Sequence, residues 1–184
     1  MRLKPLRKDE LTGERADLYE ALVGKSLGRS ESFAINERGE VRGPIAVLLQ
    51  HPATGRPLQE LAAVLRFSGL LPDAAREAVI LAVAAFWEEE FEWNSHERIA
   101  RNLGMSGEQL AAIRSGEPVA FDDPATQTAL EMARSVLWKR DLSDDEYGSA
   151  RAVFDDDQLV EITTVIGYYA LLALQLKVFR IPAT

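Results

Sequence analysis

The sequence predicts an all-α bundle folded as a single domain over residues 1–184, and three observations carry that prediction. Apolar residues recur at helical spacing in segment after segment. Helix start and stop signals bracket those segments. In Ser106-x-x-Gln109 and Ser143-x-x-Glu146, side chains at the N-cap and third helical position can satisfy each other's backbone donors. No repeat or linker divides the 184 residues, which are enough to bury a core without a metal or disulfide staple.

Taken in order, Thr12 is the expected N-cap of a helix over Glu14–Val23, with Leu18, Leu22 and Val23 on one face and Gly24 as its stop. From Lys25 to Gly43 the chain turns to Gly, Ser and charged residues, and Phe33 to Val41 fits one small β-hairpin. Pro44 to Leu49 reads as a short helix. Leu58, Leu61, Ala62 and Leu65 resume helical spacing after the punctuation of Pro52, Gly55 and Pro57. These elements form an N-terminal extension of about residues 1–70.

Pro72-Asp73 then opens a helix that is apolar on every side from Ala78 to Trp87, which places it in the middle of the core. After the junction Glu88-Glu89-Glu90, a second helix runs from Phe91 to Leu103 and stops at Gly104, making a buried central hairpin at about 73–104. Asp123-Pro124 opens a helix through Trp138. Asp155 caps the last one, where Ile162, Val165, Ile166, Tyr169, Leu172, Ala173, Leu176 and Phe179 keep a helical period.

A formal net charge of -8 and a pI near 4.9 argue against a grip on phosphate backbones, so no nucleic-acid partner is expected. Zero cysteines exclude disulfides, zinc thiolates and thiol redox chemistry and fit a reducing compartment. The charged start, Met1 to Asp9, lacks the apolar stretch of a secretory signal, and the longest charge-free run, Ile162 to Leu176, is short for a membrane span. A soluble cytoplasmic protein with no membrane partner is the expectation.

The residues that could carry chemistry gather around the hairpin. Glu89, Glu92 and His96 are related by steps of three and four, so on a helix they share one stripe. Glu77 sits on the preceding apolar helix, where a carboxylate is costly unless it faces a cavity or a partner. A helical hairpin brings all four together.

An Arg-Glu pair at 76–77, an apolar helix, two key positions three apart and a histidine four further on resemble the core of the carboxymuconolactone decarboxylase and alkylhydroperoxidase D-like family. The likeness extends to Gly43-Pro44, Leu48-Leu49, Leu65-Arg66-Phe67 and the stretch Gly167–Arg180. The resemblance implies an alkylhydroperoxidase D-like bundle and a homo-oligomer, trimer, dimer or hexamer. It also implies that Glu77 and His96 match the proton-relay pair, while Glu89 and Glu92 stand where the peroxidase branch carries redox cysteines. A thiol peroxidase is therefore excluded.

The activity the family name implies is a lyase reaction on a small molecule: decarboxylation, or enolisation, of an unsaturated lactone or carbonyl acid, with no cofactor and no metal. Such a reaction needs a proton donor and acceptor, for which His96 is suited, and a carboxylate, Glu92 or Glu77, to hold the imidazole. Arg66, Arg76 or Arg98 could receive a substrate carboxylate, with Glu89 and Trp93 completing the binding wall. Two alternatives stand beside this reading. Glu77, Glu89, Glu92 and His96 could ligate manganese, iron or zinc. The chain could instead be a non-catalytic oligomeric module that binds a ligand.

Each residue also has a plainer role open to it. Glu89 suits a helix start, Glu92 and His96 could be a surface pair, and Arg76–Glu77 a helix-start ion pair. His51 reads as a loop residue. Trp87, Phe91, Trp93 and the Tyr168–Tyr169 pair read first as packing.

Overall fold

Helices make up nearly all the regular structure in the computed structural model, which describes residues 1–23 and 34–183. The chain divides into two compact units, one of Met1–Ser68 with Leu174–Thr184, the other of Gly69–Ala173. Among the described residues there is no sheet, only two isolated antiparallel bridges, Arg7 with Glu40 and Ile35 with Val41.

In the first unit, α1 (Glu14–Val23) and α2 (Gly43–Leu48) pack on α3 (Pro52–Phe67). Leu18, Tyr19, Leu22, Val41, Ile45 and Leu49 form its buried cluster. Three expectations shift here. Gly13, not Thr12, precedes α1; it adopts φ +56° and its carbonyl accepts from Asp17 N at 3.1 Å. The hairpin contracts to a tight turn in which Asn36 N donates to Glu40 O at 2.9 Å beside the Ile35–Val41 bridge, while Phe33 and Gly24 lie outside the described residues. The third shift concerns α3, which begins at Pro52 and runs through Pro57 instead of starting after it. A proline this close to a helix start forfeits one backbone bond, a loss the buried face of the helix can offset.

Gly55 is where α3 comes closest to its neighbours. A Cβ built there would stand 2.3 Å from the Leu48 carbonyl oxygen and 2.8 Å from Leu18 Cδ2. Only glycine lets the backbones meet at that distance.

In the second unit, α4 (Asp73–Phe86) is the centre, packed by α5 (Glu90–Asn102), α6 (Gly107–Ser115) and α7 (Pro124–Lys139). α8 (Asp144–Arg151) leans on α7, and α9 (Asp156–Phe179) closes the chain. Every residue of α4 from Ala75 to Ala84 is buried, as its all-round apolar sequence requires. Its end departs from that expectation: Phe86 is 38% exposed and stacks edge-on against exposed Trp138, with centroids 4.8 Å apart, and Trp87 is half-buried.

The cap signals are realised. Ser106 and Ser143 form reciprocal capping boxes with Gln109 and Glu146, Asp123 accepts from Thr126 N, and Asp155 accepts from Gln158 N at 2.8 Å. With 24 residues α9 is long and apolar enough to cross a membrane, longer than its charge-free run suggests. Half of its most apolar window is buried in protein, along the stripe Ile162, Val165, Ile166, Tyr169, Leu172, Ala173 and Leu176, the pattern of a core helix.

Two predictions follow from this packing. Gly55→Ala should destabilise the protein by about 1–3 kcal/mol, since backbone must move to admit the methyl group. Gly148→Ala, where a Cβ on α8 meets nothing within 4 Å, should stabilise it by about 0.5–1 kcal/mol; paired denaturant titrations check both.

The second concerns Glu146, whose carboxylate accepts from Lys139, Ser135 and Ser143, contacts that hold its pKa down from an ordinary 4.5 to about 2. A carboxyl depressed in the folded state lends stability that is present above its unfolded value and disappears as pH falls through the folded one. Stability should therefore drop between pH 4.5 and about 2, and Glu146→Gln should flatten that part of a urea-midpoint profile.

Candidate functional site

The site is built by the turn between α4 and α5. Glu88 takes φ +49°, Glu88 N donates to Ala85 O at 3.0 Å, and Glu89 N donates to Ala84 O at 2.9 Å. This is a Schellman ending with Glu where glycine is usual, so the turn carries backbone strain. The next residue starts the following helix: Glu89 caps α5 by accepting from Glu92 N at 2.8 Å.

Folded back in this way, the two helices place Glu77 of α4 against His96 of α5. His96 Nδ1 lies 2.6 Å from Glu77 Oε2, and its other nitrogen, Nε2, lies 3.8 Å from Glu92 Oε2. The Nδ1 hydrogen bond to a carboxylate holds the ring in one orientation and puts a proton on Nδ1, leaving Nε2 to take up or release one beside Glu92. Tyr169 of α9 abuts the imidazole edge to face, with ring centroids 5.1 Å apart.

These groups are almost wholly shielded. Glu77 is 3% exposed, Glu92 and His96 4%, Glu89 7% and Arg76 9%. The Glu92–His96 pair is therefore not the surface ion pair that its spacing alone allows. Arg76 divides its charge between Asp73, 2.7 Å from its Nη2, and Glu77, 3.8 Å from its Nε. That engagement makes it a neighbour of Glu77.

Glu89 and Trp93 line a cleft of about 420 Å³ together with Ala84, Ala85, Glu88, Glu90 and Arg114. Trp93 is buried; its Nε1 donates to Glu97 at 3.0 Å, and the Arg114 guanidinium lies 4.9 Å over its ring while pairing with Glu90. Arg66, the other expected anion receptor, lies on α3 in the first unit, 5.5 Å over the Phe67 ring, and Arg98 is exposed on α5. His51 sits before α3, hydrogen-bonded to Thr54 at 2.8 Å, as a loop residue does. Among the described residues no three His, Asp or Glu side chains are grouped to hold a metal ion.

Sequence reasoning did not single out Asp73, Tyr169 or Arg114 as parts of this neighbourhood. Asp73 was visible as an i, i+3 partner of Arg76. Arg114 and Tyr169 are distant in sequence from the hairpin, and nothing local marks them.

The sequence model of the carboxymuconolactone decarboxylase family matches residues 52–135, which include the whole hairpin.

Solved structures place this family segment in an alkylhydroperoxidase D-like all-α fold. An Agrobacterium tumefaciens protein of unknown function, named for the antioxidant defence protein AhpD, superposes with a TM-score of 0.65 at 19% identity, covering 76% of this chain and 96% of its own. The debrominase Bmp8, as a cysteine-to-alanine variant in complex with 2,3,4-tribromopyrrole, gives 0.74 at 12% identity over 100% of this chain and 92% of its own. An uncharacterized peroxidase-related protein from Silicibacter sp. TM1040 gives 0.71 at 14% identity over 98% and 90%. No functionally curated protein matches the chain. The chain has no cysteine anywhere.

The cap at Glu89 can be tested directly. Glu89→Ala should cost about 1 kcal/mol of stability, and Glu89→Gln, which keeps an acceptor oxygen, should recover most of it in thermal melts.

Proposed function

We propose that this protein is a small-molecule acid–base enzyme in which His96 moves a proton at carbon next to a carbonyl, the step shared by the enolisation and decarboxylation chemistry of the family name. The observation that carries the reading is the buried imidazole set between two carboxyl groups, 2.6 Å from Glu77 on one nitrogen and 3.8 Å from Glu92 on the other. Glu77 orients the ring and holds the proton on Nδ1. Nε2 takes the proton while the C–H electron pair passes to the carbonyl oxygen as an enolate, and Nε2, after exchanging that proton with solvent, returns one to carbon to complete the cycle. Glu92 faces the nitrogen on which the charge appears.

The depth of burial favours a second reading, in which Glu77, His96 and Glu92 form a polar network that fixes the hairpin and does no chemistry. One substitution separates the two. In His96→Asn the side-chain amide can still donate to Glu77 in place of Nδ1, but nothing replaces Nε2. An enzyme of the proposed kind should lose at least about a hundredfold in proton exchange, followed by NMR in deuterated water with unsaturated lactones and ketones. Its stability should change by less than about 1 kcal/mol, whereas His96→Ala, which strands a buried carboxylate, should cost about 3–5 kcal/mol. Exchange that survives in His96→Asn would reject the catalytic role and leave the network.

A further inference from the structure

The last helix, α9, buries one side and leaves a second apolar seam bare. Val160, Thr164, Gly167, Leu171, Leu174 and Val178 follow one another by steps of four, three, four, three and four. On a helix those steps draw a single line along one face, the spacing of contact positions in paired helices. Val160 is 65% exposed, Leu174 46% and Val178 45%; Gly167 is exposed, and Thr164 and Leu171 are half-buried. No charged side chain occurs from Ile162 to Leu176, and the hydroxyls of Thr163 and Thr164 donate to the Val160 carbonyl oxygen at 2.9 and 2.8 Å. Covering this face therefore strands no charge and neither hydroxyl.

Nothing within the described residues requires glycine at 167. Glycine in the middle of a helix is destabilising relative to alanine, and a Cβ built there meets nothing within 4 Å. A helix approaching from outside does require it, because a glycine at the crossing point lets two helix backbones come close.

The ends of α9 carry opposite charge. Asp155, Asp156 and Asp157 stand at its start, Lys177 and Arg180 at its end. Two copies laid antiparallel with Gly167 against Gly167 set Val160 of each against Leu174 of the other, since both lie seven residues from the glycine. The same alignment puts the acidic start of each helix beside the basic end of the other and sets their dipoles in opposition. A parallel pairing would bring like charges together. A pattern that matches itself when reversed is what a two-fold contact needs.

We propose that two copies of this chain associate through α9, antiparallel and centred on Gly167. The contact is independent of the chemistry of His96, although Tyr169, on the buried side of the same helix, abuts that imidazole.

Sedimentation equilibrium of the full chain should show a dimer at about 100 µM. Val160→Glu and Leu174→Glu change exposed positions, so each should fold as before while weakening association at least about a hundredfold. Gly167→Leu, which favours the helix, should weaken it at least about tenfold by holding the backbones apart. Because the chain has no cysteine, oxidative cross-linking reads the orientation. Val160→Cys mixed with Leu174→Cys should give a disulfide between unlike copies. Val160→Cys alone should give none, its two sites being about 21 Å apart along the helix axes.

A monomer at that concentration, an assembly of any size that both glutamate variants leave intact, or self-linking of Val160→Cys overturns the inference. So does a monomer that floats with phosphatidylcholine vesicles and loses that attachment in Leu174→Glu, which would make the seam a membrane face.

Discussion

A carboxylate sealed inside a helical core loses the hydration that keeps it ionised, and the loss must be made good by partners already in place. Glu77 has such partners on two sides: Arg76 beside it on α4, and the His96 imidazole reaching across from α5. The second of these fixes the hairpin. For Nδ1 to lie 2.6 Å from Oε2, the two helices must hold their register and rotation, and the strained turn at Glu88 with its pair of closing backbone bonds is what sets both. Glu89 then serves two structures at once, capping α5 and forming part of the cleft wall. Local geometry, site and cleft are consequences of one helix ending next to one helix beginning.

Much of this was legible because the signals are short in sequence. Steps of three and four placed Glu89, Glu92 and His96 on one stripe. Cap residues at 106, 123, 143 and 155 marked helix starts where the structure has them. The all-apolar run placed α4 at the centre. Errors gather where tertiary contacts outweigh local preference. Pro57 reads as a breaker, yet the packing of α3 carries the helix through it, and Gly55, read as punctuation, is a contact point under Leu48. Phe86 and Trp87 are apolar by composition, but they fall at the end of α4 and in the turn that leads out of the core.

The site was half legible for the same reason. Glu77 and His96 could be paired only by supposing the hairpin, and the spacing could not reveal that Arg76 was committed to Asp73 and Glu77. Arg114 reaches the Trp93 ring from α6, and Tyr169 reaches His96 from α9; no window of sequence around the hairpin contains either. The resemblance to the family named the positions, and the contacts add what stands beside them.

The two glutamates that the resemblance sets where the peroxidase branch has cysteines also make electrostatic sense. A helix N-terminus favours negative charge, a field that eases ionisation of a thiol and equally accommodates a carboxylate. Replacing sulfur by carboxyl at 89 and 92 thus keeps the charge that the start of α5 prefers and removes the capacity for two-electron chemistry. What remains is rich in acceptors: Glu77 and Glu92 flank one imidazole, and Glu89 accepts from the backbone of Glu92. Such a setting assists removal of a proton far more than it stabilises a product that leaves as an anion. On the acid–base reading, the proton taken up at Nε2 must therefore be returned before the product departs, which suits migration of a double bond better than release of a charged enolate.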